Sequence, residues 1–413
     1  MKQPLVLKIA LRSLGRHPRR TLLSVLGIGV GVAVALFLNA FMLGESEMVV
    51  GGVVRTGIGH LHVAPESWAE TRDRDLRLEE WESVLDAARS LDQVVAAAPR
   101  ASTTALLGFG TKVAGVEMLG VDPSVEPKVN QLVQGLSRGR YLITADTTGA
   151  VIGAGVAERL DVGVGDALFA TVVDSAGEIR YAMLTAVGII STGSGELDAT
   201  LCHVTLSAIE RMTMRTGPSG IAVLLEDESQ TNEVRRRLME VVSSGDTVLT
   251  WQEVAPTMSV GAAADRAFAA LIGAVIVFVV VLGITSAQLT SVLERRREFA
   301  VLIALGMRDG LVVRLILVES AILGVLGAAA GLVIGAPFLY WAATVGLDFS
   351  EFVEGELSMD GMLFDPVIYA EVGMWIVPYA VVVALAATVI AALYPARTAA
   401  TINPTTALSL REA

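Results

Sequence analysis

The sequence predicts an integral membrane α-helical protein of four transmembrane helices, with a large α+β extracytoplasmic domain inserted between the first and second. Three observations predict it: four long apolar runs free of charge, arginines grouped in the short segments between them, and a long stretch of ordinary globular composition after the first run. With 53% hydrophobic residues, the 413-residue chain is more apolar than a soluble domain. A net charge of −12 argues against a nucleic-acid partner, because neutralising phosphates needs a basic surface. Cys202 is the single cysteine, so the inserted domain must fold by burying a core and not by cross-linking.

Residues 1–20 read as a cytoplasmic amphipathic helix carrying Lys2, Lys8, Arg12, Arg16, Arg19 and Arg20. Residues 21–44 are the first span; this run is longer than the about 7–15 residues of a cleaved signal core and no small-residue cleavage site closes it, so it is expected to be retained. Residues 45–265 form the extracytoplasmic domain, 266–293 the second span, and 294–314 a cytoplasmic loop with Arg295, Arg296, Arg297, Arg308 and Arg314. The third span covers 315–347, an external loop 348–371, the fourth span 372–396 and a cytoplasmic tail 397–413 with Arg397 and Arg411. The external loop holds Asp348, Glu351, Glu354, Glu356, Asp360 and Asp365 and no Lys or Arg. Arginines near span ends stay in the cytoplasm, so both termini are expected inside.

Small residues such as Gly27, Gly29 and Gly31 in the first span and Gly324, Gly327, Gly331 and Gly335 in the third let helix backbones approach closely. Pro337 and Pro378 are expected to kink their helices or mark membrane-end breaks. Glu319, five residues past Arg314 at the entry of span three, is expected partly exposed or paired.

In the inserted domain, apolar residues at three-to-four spacing predict helices over Leu78–Leu91, Gly155–Leu160, Thr205–Met212 and Gln230–Val242. Runs rich in Val, Ile and Leu predict strands at His60–Ala64, Val113–Val121, Leu168–Val173, Ile179–Ile190 and Gly220–Leu225. The turn formers Asp174, Ser175, Ala176 and Gly177 make a hairpin of about residues 167–189. Ser191–Gly195 reads as a flexible loop.

No GxxxxGK[ST] pattern and no Gly-Lys pair occurs, so the cradle that binds nucleotide phosphates is missing and energy must come from a partner. His60 and His62 share a strand face, but a metal site would need further ligands, and Cys202 and His203 point oppositely as strand neighbours. No catalytic residue and no metal site is assigned. The informative segment is Glu294–Ser320, in which Arg295, Arg296, Arg297 and Glu298 precede Phe299, Val301, Leu302, Ile303 and Leu305, and Gly306 ends the helix. An exposed apolar stripe with a charged rim fits a groove on another protein; lipid headgroups are the alternative.

This loop resembles the ERRREIGILRALGA-type segment of the ABC-transporter permeases that include FtsX, MacB and the lipoprotein-releasing Lol permeases. The N-terminal LVLKIALRSLGRHPRRTLLSVLGIGVGVA and the tail YPARTAATINPTTALSLRE are similar to the same family, so the resemblance covers essentially the whole chain. It implies that Glu298–Gly306 is the coupling helix that docks on an ATPase subunit, with Arg295, Arg296 and Arg297 on its rim. Ala300 and Ile303 depart from the family pattern, where glycine and a basic residue are common. The resemblance further implies an inner-membrane protein with a periplasmic main domain, no cofactor bound directly, ATP and Mg bound by a partner ATPase dimer, and a second permease copy or paralogue. Gly59-His60-Leu61-His62-Val63 and Val151–Asp166 look like the Lol permeases, which makes lipoprotein release the first expectation. A periplasmic lipoprotein carrier is then a candidate partner, at Asp174, Ser175, Ala176, Gly177 and Glu178, where Lol permeases that recruit it use a longer hook. The alternatives are a MacB-like exporter of small hydrophobic molecules or peptides and an FtsX-like signalling subunit acting on a periplasmic hydrolase. Substrate contacts are expected around residues 39–48 and 260–268.

Overall fold

The computed structural model describes residues 3–16, 18–349, 358–359, 362–363 and 367–402, in two compact units. Glu351, Glu354, Glu356, Asp360 and Asp365 of the acidic loop, and the tail from residue 403 with Arg411, lie outside the described residues.

Among the described residues four helices are long and apolar enough to cross a membrane, Pro18–Arg55, Pro256–Glu294, Asp309–Thr344 and Ile376–Ala400, and the first unit takes in residues 1–46, 263–347 and 368–413. Three of them outrun the apolar stretches expected at 21–44, 266–293 and 315–347, because polar turns continue the helical hydrogen bonding at one or both ends. The third stops at Thr344, where Gly346 takes φ +78°, leaving Leu347 past its end. The fourth begins at Ile376, four residues later than expected, and Pro378 falls in its first turn, where a missing N–H costs nothing. Pro337 lies inside the third helix. Glycines bring spans one and three together: a Cβ on Gly331 would come 2.7 Å from Val32, and one on Gly29 would come 2.9 Å from Ala330. Ile28, Val32, Leu36, Leu323, Ala380 and Ala384 are buried in the resulting cluster. Only 6% of the second span's apolar window is buried within the chain, against 28–39% for the others, so that helix keeps most of its apolar surface for lipid or another chain.

The second unit is built on a ten-stranded sheet: β1 (Leu61–Pro65), β2 (Val94–Phe109), β3 (Lys112–Val121), β4 (Leu136–Gly139), β5 (Gly149–Gly153), β6 (Ala167–Val173), β7 (Ile179–Ile190), β8 (Leu201–Thr205), β9 (Gly220–Leu225) and β10 (Asp246–Thr250). The order is β10-β1-β9-β2-β3-β8-β5-β7-β4, with β6 pairing both β2 and β7. Its two largest apolar clusters lie under paired helices. Leu61, Val84, Ala97, Val223 and Leu238 form one under the helices Trp81–Arg89 and Thr231–Met239. Leu107, Met118, Ile152, Leu168 and Ile209 form the other under Ala154–Leu160 and Leu206–Thr213. β2 supplies residues to both, Ala97 to the first and Ala101, Ala105 and Leu107 to the second.

Each expected helix and strand of this domain has a counterpart, although Gln230–Val242 shortens to Thr231–Met239 and Leu78–Leu91 to Trp81–Arg89. The expected hairpin is β6–β7, in register from Ala167↔Thr185 to Val173↔Ile179. β2, β4, β5, β8 and β10 have no counterpart among the expected strands. Buried Arg100, on β2, donates from Nε to Glu126 Oε2 at 3.1 Å, from Nη2 to Glu126 Oε1 at 2.5 Å and from Nη1 to the carbonyl of Gly57, while Asn130 Nδ2 donates to Glu126 Oε1 at 2.8 Å. The carboxylate, fully buried, is thereby satisfied from three directions.

Candidate functional site

The expected docking segment folds as the helix Arg296–Ala304, and Gly306, at φ +91°, terminates it before the helix that starts at Asp309. Phe299 and Ala300 are buried with Ala10, Val312, Leu315, Ile316 and Ala396. Phe299, expected on the exposed stripe, is therefore an anchor of the loop: a ring this large gains more by filling the cluster than by facing water. Leu302 and Ile303 pack partly against the same cluster. The apolar surface that remains is Val301 and Leu305, the latter 80% exposed, with Arg297 and Glu298 exposed beside them.

Arg295 precedes the helix and fixes it. Its Nη1 lies 3.2 Å from Glu319 Oε2, its Nε donates to Glu298 Oε2 at 3.1 Å, and its guanidinium sits over the Phe299 ring at 5.0 Å. Glu319 also accepts from Ser13 Oγ at 3.2 Å, so one buried carboxylate joins the N-terminal helix Gln3–Arg16, the loop and the third span. Sequence spacing pointed only to Arg314 as a neighbour of Glu319; the partner is 24 residues away and no local signal marks it. Lys8, Arg12, Arg297, Glu298, Val301 and Leu302 line a groove of about 770 Å³ whose rim is mostly cationic.

At the hairpin, Asp174 is not a surface contact. It is buried, accepts from Ala176 N at 2.9 Å and Glu178 N at 3.0 Å, and pairs with Arg180 Nε at 2.5 Å; these bonds hold its carboxyl below the usual range, with Arg180 the largest cause. Ser175 N–H donates to Thr213 O at 2.9 Å, and Gly177 supplies φ +79°. Ser175, Ala176, Gly177 and Glu178 are exposed on a tight tip. Behind them the outer face of β6 and β7 exposes Phe169, Ile179, Tyr181 and Met183, an apolar patch that the alternating strand pattern could have disclosed.

The remaining chemistry-bearing residues are occupied structurally. His60 Nδ1 accepts from Leu225 N at 3.0 Å, the His62 ring lies 5.2 Å from that of Trp68 at a 42° tilt, and His203 Nδ1 lies 3.0 Å from Tyr141 Oη. Burial pushes the Cys202 thiol up to about 12 and both His62 and His203 down to about 4. Among the described residues no group of three His, Cys, Asp or Glu side chains could hold a metal ion.

Residues 21–241 match the MacB-like periplasmic core domain and residues 270–404 the FtsX-like permease C-terminal model. The chain is 26% identical over 404 residues to the lipoprotein-releasing system transmembrane protein LolC of Neisseria meningitidis serogroup B, covering 94% of this chain and 93% of that one. It is 23% identical to LolE of Haemophilus influenzae over 94% and 93% of the two chains. A macrolide export ATP-binding/permease protein MacB from a Shewanella strain is 23% identical across 80% of this chain, which spans 53% of that longer protein.

Proposed function

The chain belongs to the ABC-transporter permeases that join a MacB-like periplasmic core domain to an FtsX-like permease region, and from that premise we propose that it is the membrane subunit of a lipoprotein-releasing system driven by a separate ATPase. The observation that carries this reading is the end-to-end match to LolC, which covers 94% of this chain and 93% of that one. Both termini and the loop helix Arg296–Ala304 face the cytoplasm, where arginines near the span ends belong. The ATPase binds Mg and ATP and receives Val301 and Leu305 in a groove, with Arg296, Arg297 and Glu298 at the rim. Arg295, Phe299, Leu302 and Gly306 hold the helix in shape behind them. A second permease, identical or paralogous, covers the largely unburied second span. The tip Ser175–Glu178 is where a periplasmic lipoprotein carrier makes contact, and Asp174 with Arg180 keeps it rigid.

The test is reconstitution of this subunit with its ATPase in proteoliposomes carrying an acylated lipoprotein. ATP-dependent transfer of that lipoprotein to a soluble acceptor is expected; ATP hydrolysis stimulated by a macrolide or peptide, with no lipoprotein transfer, would replace the reading with small-molecule export. The match to MacB is the observation that favours that second reading.

A further inference from the structure

β7 leaves half of one edge unpaired. Ala186 exchanges both backbone bonds on the β6 side, its N–H donating to Asp166 O at 3.0 Å and its carbonyl accepting from Gly165 N at 2.7 Å. Antiparallel bonding alternates, so Leu184, Ala182 and Arg180 also aim their backbone groups at β6, and Thr185, Met183, Tyr181 and Ile179 aim theirs the other way. On that other side Thr185 N–H donates to Thr148 O at 2.7 Å, and β5 runs alongside from Gly149↔Thr185 onward. Before Thr148 the chain turns off, tied by Asp146 to Arg140 and to the N–H of Ile143. The lane that β5 fills is therefore vacant beside Met183, Tyr181 and Ile179, and no described residue makes a backbone ladder there.

The vacant lane is a groove of about 810 Å³. Its far wall is the helix Leu206–Thr213, which presents Ala208, Arg211 and Met212. β8 borders β5 on the side away from β7 and leads directly into that helix at Thr205, and the far end of the helix is tied to the β6–β7 turn by Ser175 N–H donating to Thr213 O at 2.9 Å, so the lane is bounded along one side and at its hairpin end. A second sheet, such as that of another copy, cannot bring its edge in; a single extended chain can. Arg211 donates to Thr147 O at 2.6 Å, and among the described residues no carboxylate pairs with it, so a negative side chain on the incoming chain finds a cation there. The outer face beside the lane carries Tyr181 and Met183, both more than half exposed, against which apolar side chains of a guest strand would pack.

The geometry points to a strand-addition site: an extended, acidic segment of a partner protein, about five residues long at roughly 3.3 Å each, pairs with β7 through Tyr181 and Met183 and lies against the helix Leu206–Thr213. Main-chain bonds give such a contact its affinity and alternate side chains give it specificity. The site stands whichever cargo the permease handles.

The probe is a fluorescein-labelled heptapeptide of alternating valine and threonine with one central glutamate, titrated by polarisation against the full-length chain in nanodiscs. Saturable binding is expected. N-methylation of one alternate set of peptide nitrogens should weaken it about tenfold or more, and methylation of the other set should leave it unchanged. Met183→Pro, which removes an N–H facing the groove, should weaken it about tenfold, and Arg211→Ala about two- to fivefold. Independently of any variant, saturating peptide should slow deuterium uptake at the Tyr181 and Met183 amides. No binding at about 1 mM peptide, equal effects of the two methylations, or unchanged uptake at those amides overturns the proposal. So does conversion of an oligomeric chain to monomer by Met183→Pro, which would give the edge to a second copy.

Discussion

Arg295 Nη1 and Glu319 Oε2 stand 3.2 Å apart with both side chains nearly sequestered, 12% and 6% exposed, and this pair sets the start of the loop helix against the third span. Removing one partner strands the other charge in a poorly solvated place. In a double-mutant cycle with Arg295→Met and Glu319→Leu, unfolding of the purified subunit should give a coupling energy of about 1–3 kcal/mol. Each single variant should also lower ATP hydrolysis in the reconstituted complex; full activity in both would remove the pair from the transmission of motion.

Leu305 and Phe299 should separate docking from folding. Leu305→Asp changes an 80% exposed side chain, so stability should stay within about 0.5 kcal/mol while co-purification of the ATPase falls about tenfold. Phe299→Ala empties a buried site and should cost about 3–5 kcal/mol, read by denaturant unfolding. Reversed outcomes would mean that the helix docks through the face described above as buried.

Glu126 should be intolerant of neutralisation. Glu126→Gln leaves Arg100 buried with half of its charge-assisted bonds, and a loss of about 3–5 kcal/mol is expected. Retained wild-type stability would show that water reaches Arg100.

His203 predicts the pH response of the inserted domain. Its folded value is pushed down to about 4, chiefly by burial, with Arg100 adding to the shift and Glu126 opposing it, whereas the unfolded value lies near 6.5. Between those values the unfolded chain takes up a proton that the folded chain refuses, so stability is full above about pH 6.5 and falls as the pH drops. At about 1.36 kcal/mol per unit, the loss reaches roughly 2–3 kcal/mol by about pH 4.5, and His62, also near 4, adds a second such term. Denaturant unfolding at about pH 7.5 and 4.5 should show a smaller difference for His203→Gln than for the unaltered chain; identical differences would mean that His203 takes up its proton as readily in the fold as in the unfolded chain.

The four spans were legible because each is a long uninterrupted run, a signal that needs no tertiary context. The β6–β7 hairpin was legible from its turn chemistry, Asp174 through Gly177. β2 was hidden because Ala96, Ala97 and Ala98 favour no strand and Pro99 argues against one. Pro99 is accommodated just before β3 begins to pair, at Arg100↔Val121, where β2 has a strand neighbour only on the β9 side. β5 and β8 were hidden for a different reason: both are buried on two faces and short, so no alternation marks them. In the loop, sequence located the helix and its glycine stop but could not say which apolar residues face inward, because that depends on Ala10 and Ala396, far away in the chain.

β2 runs for 16 residues through the two largest apolar clusters of the inserted domain. Neither half can melt while the other keeps that strand, because pulling Ala97 out of one cluster drags on Ala101 and Leu107 in the other. The domain should thus lose its structure in one cooperative step, and force applied at either end of its sheet is felt along a single covalent beam.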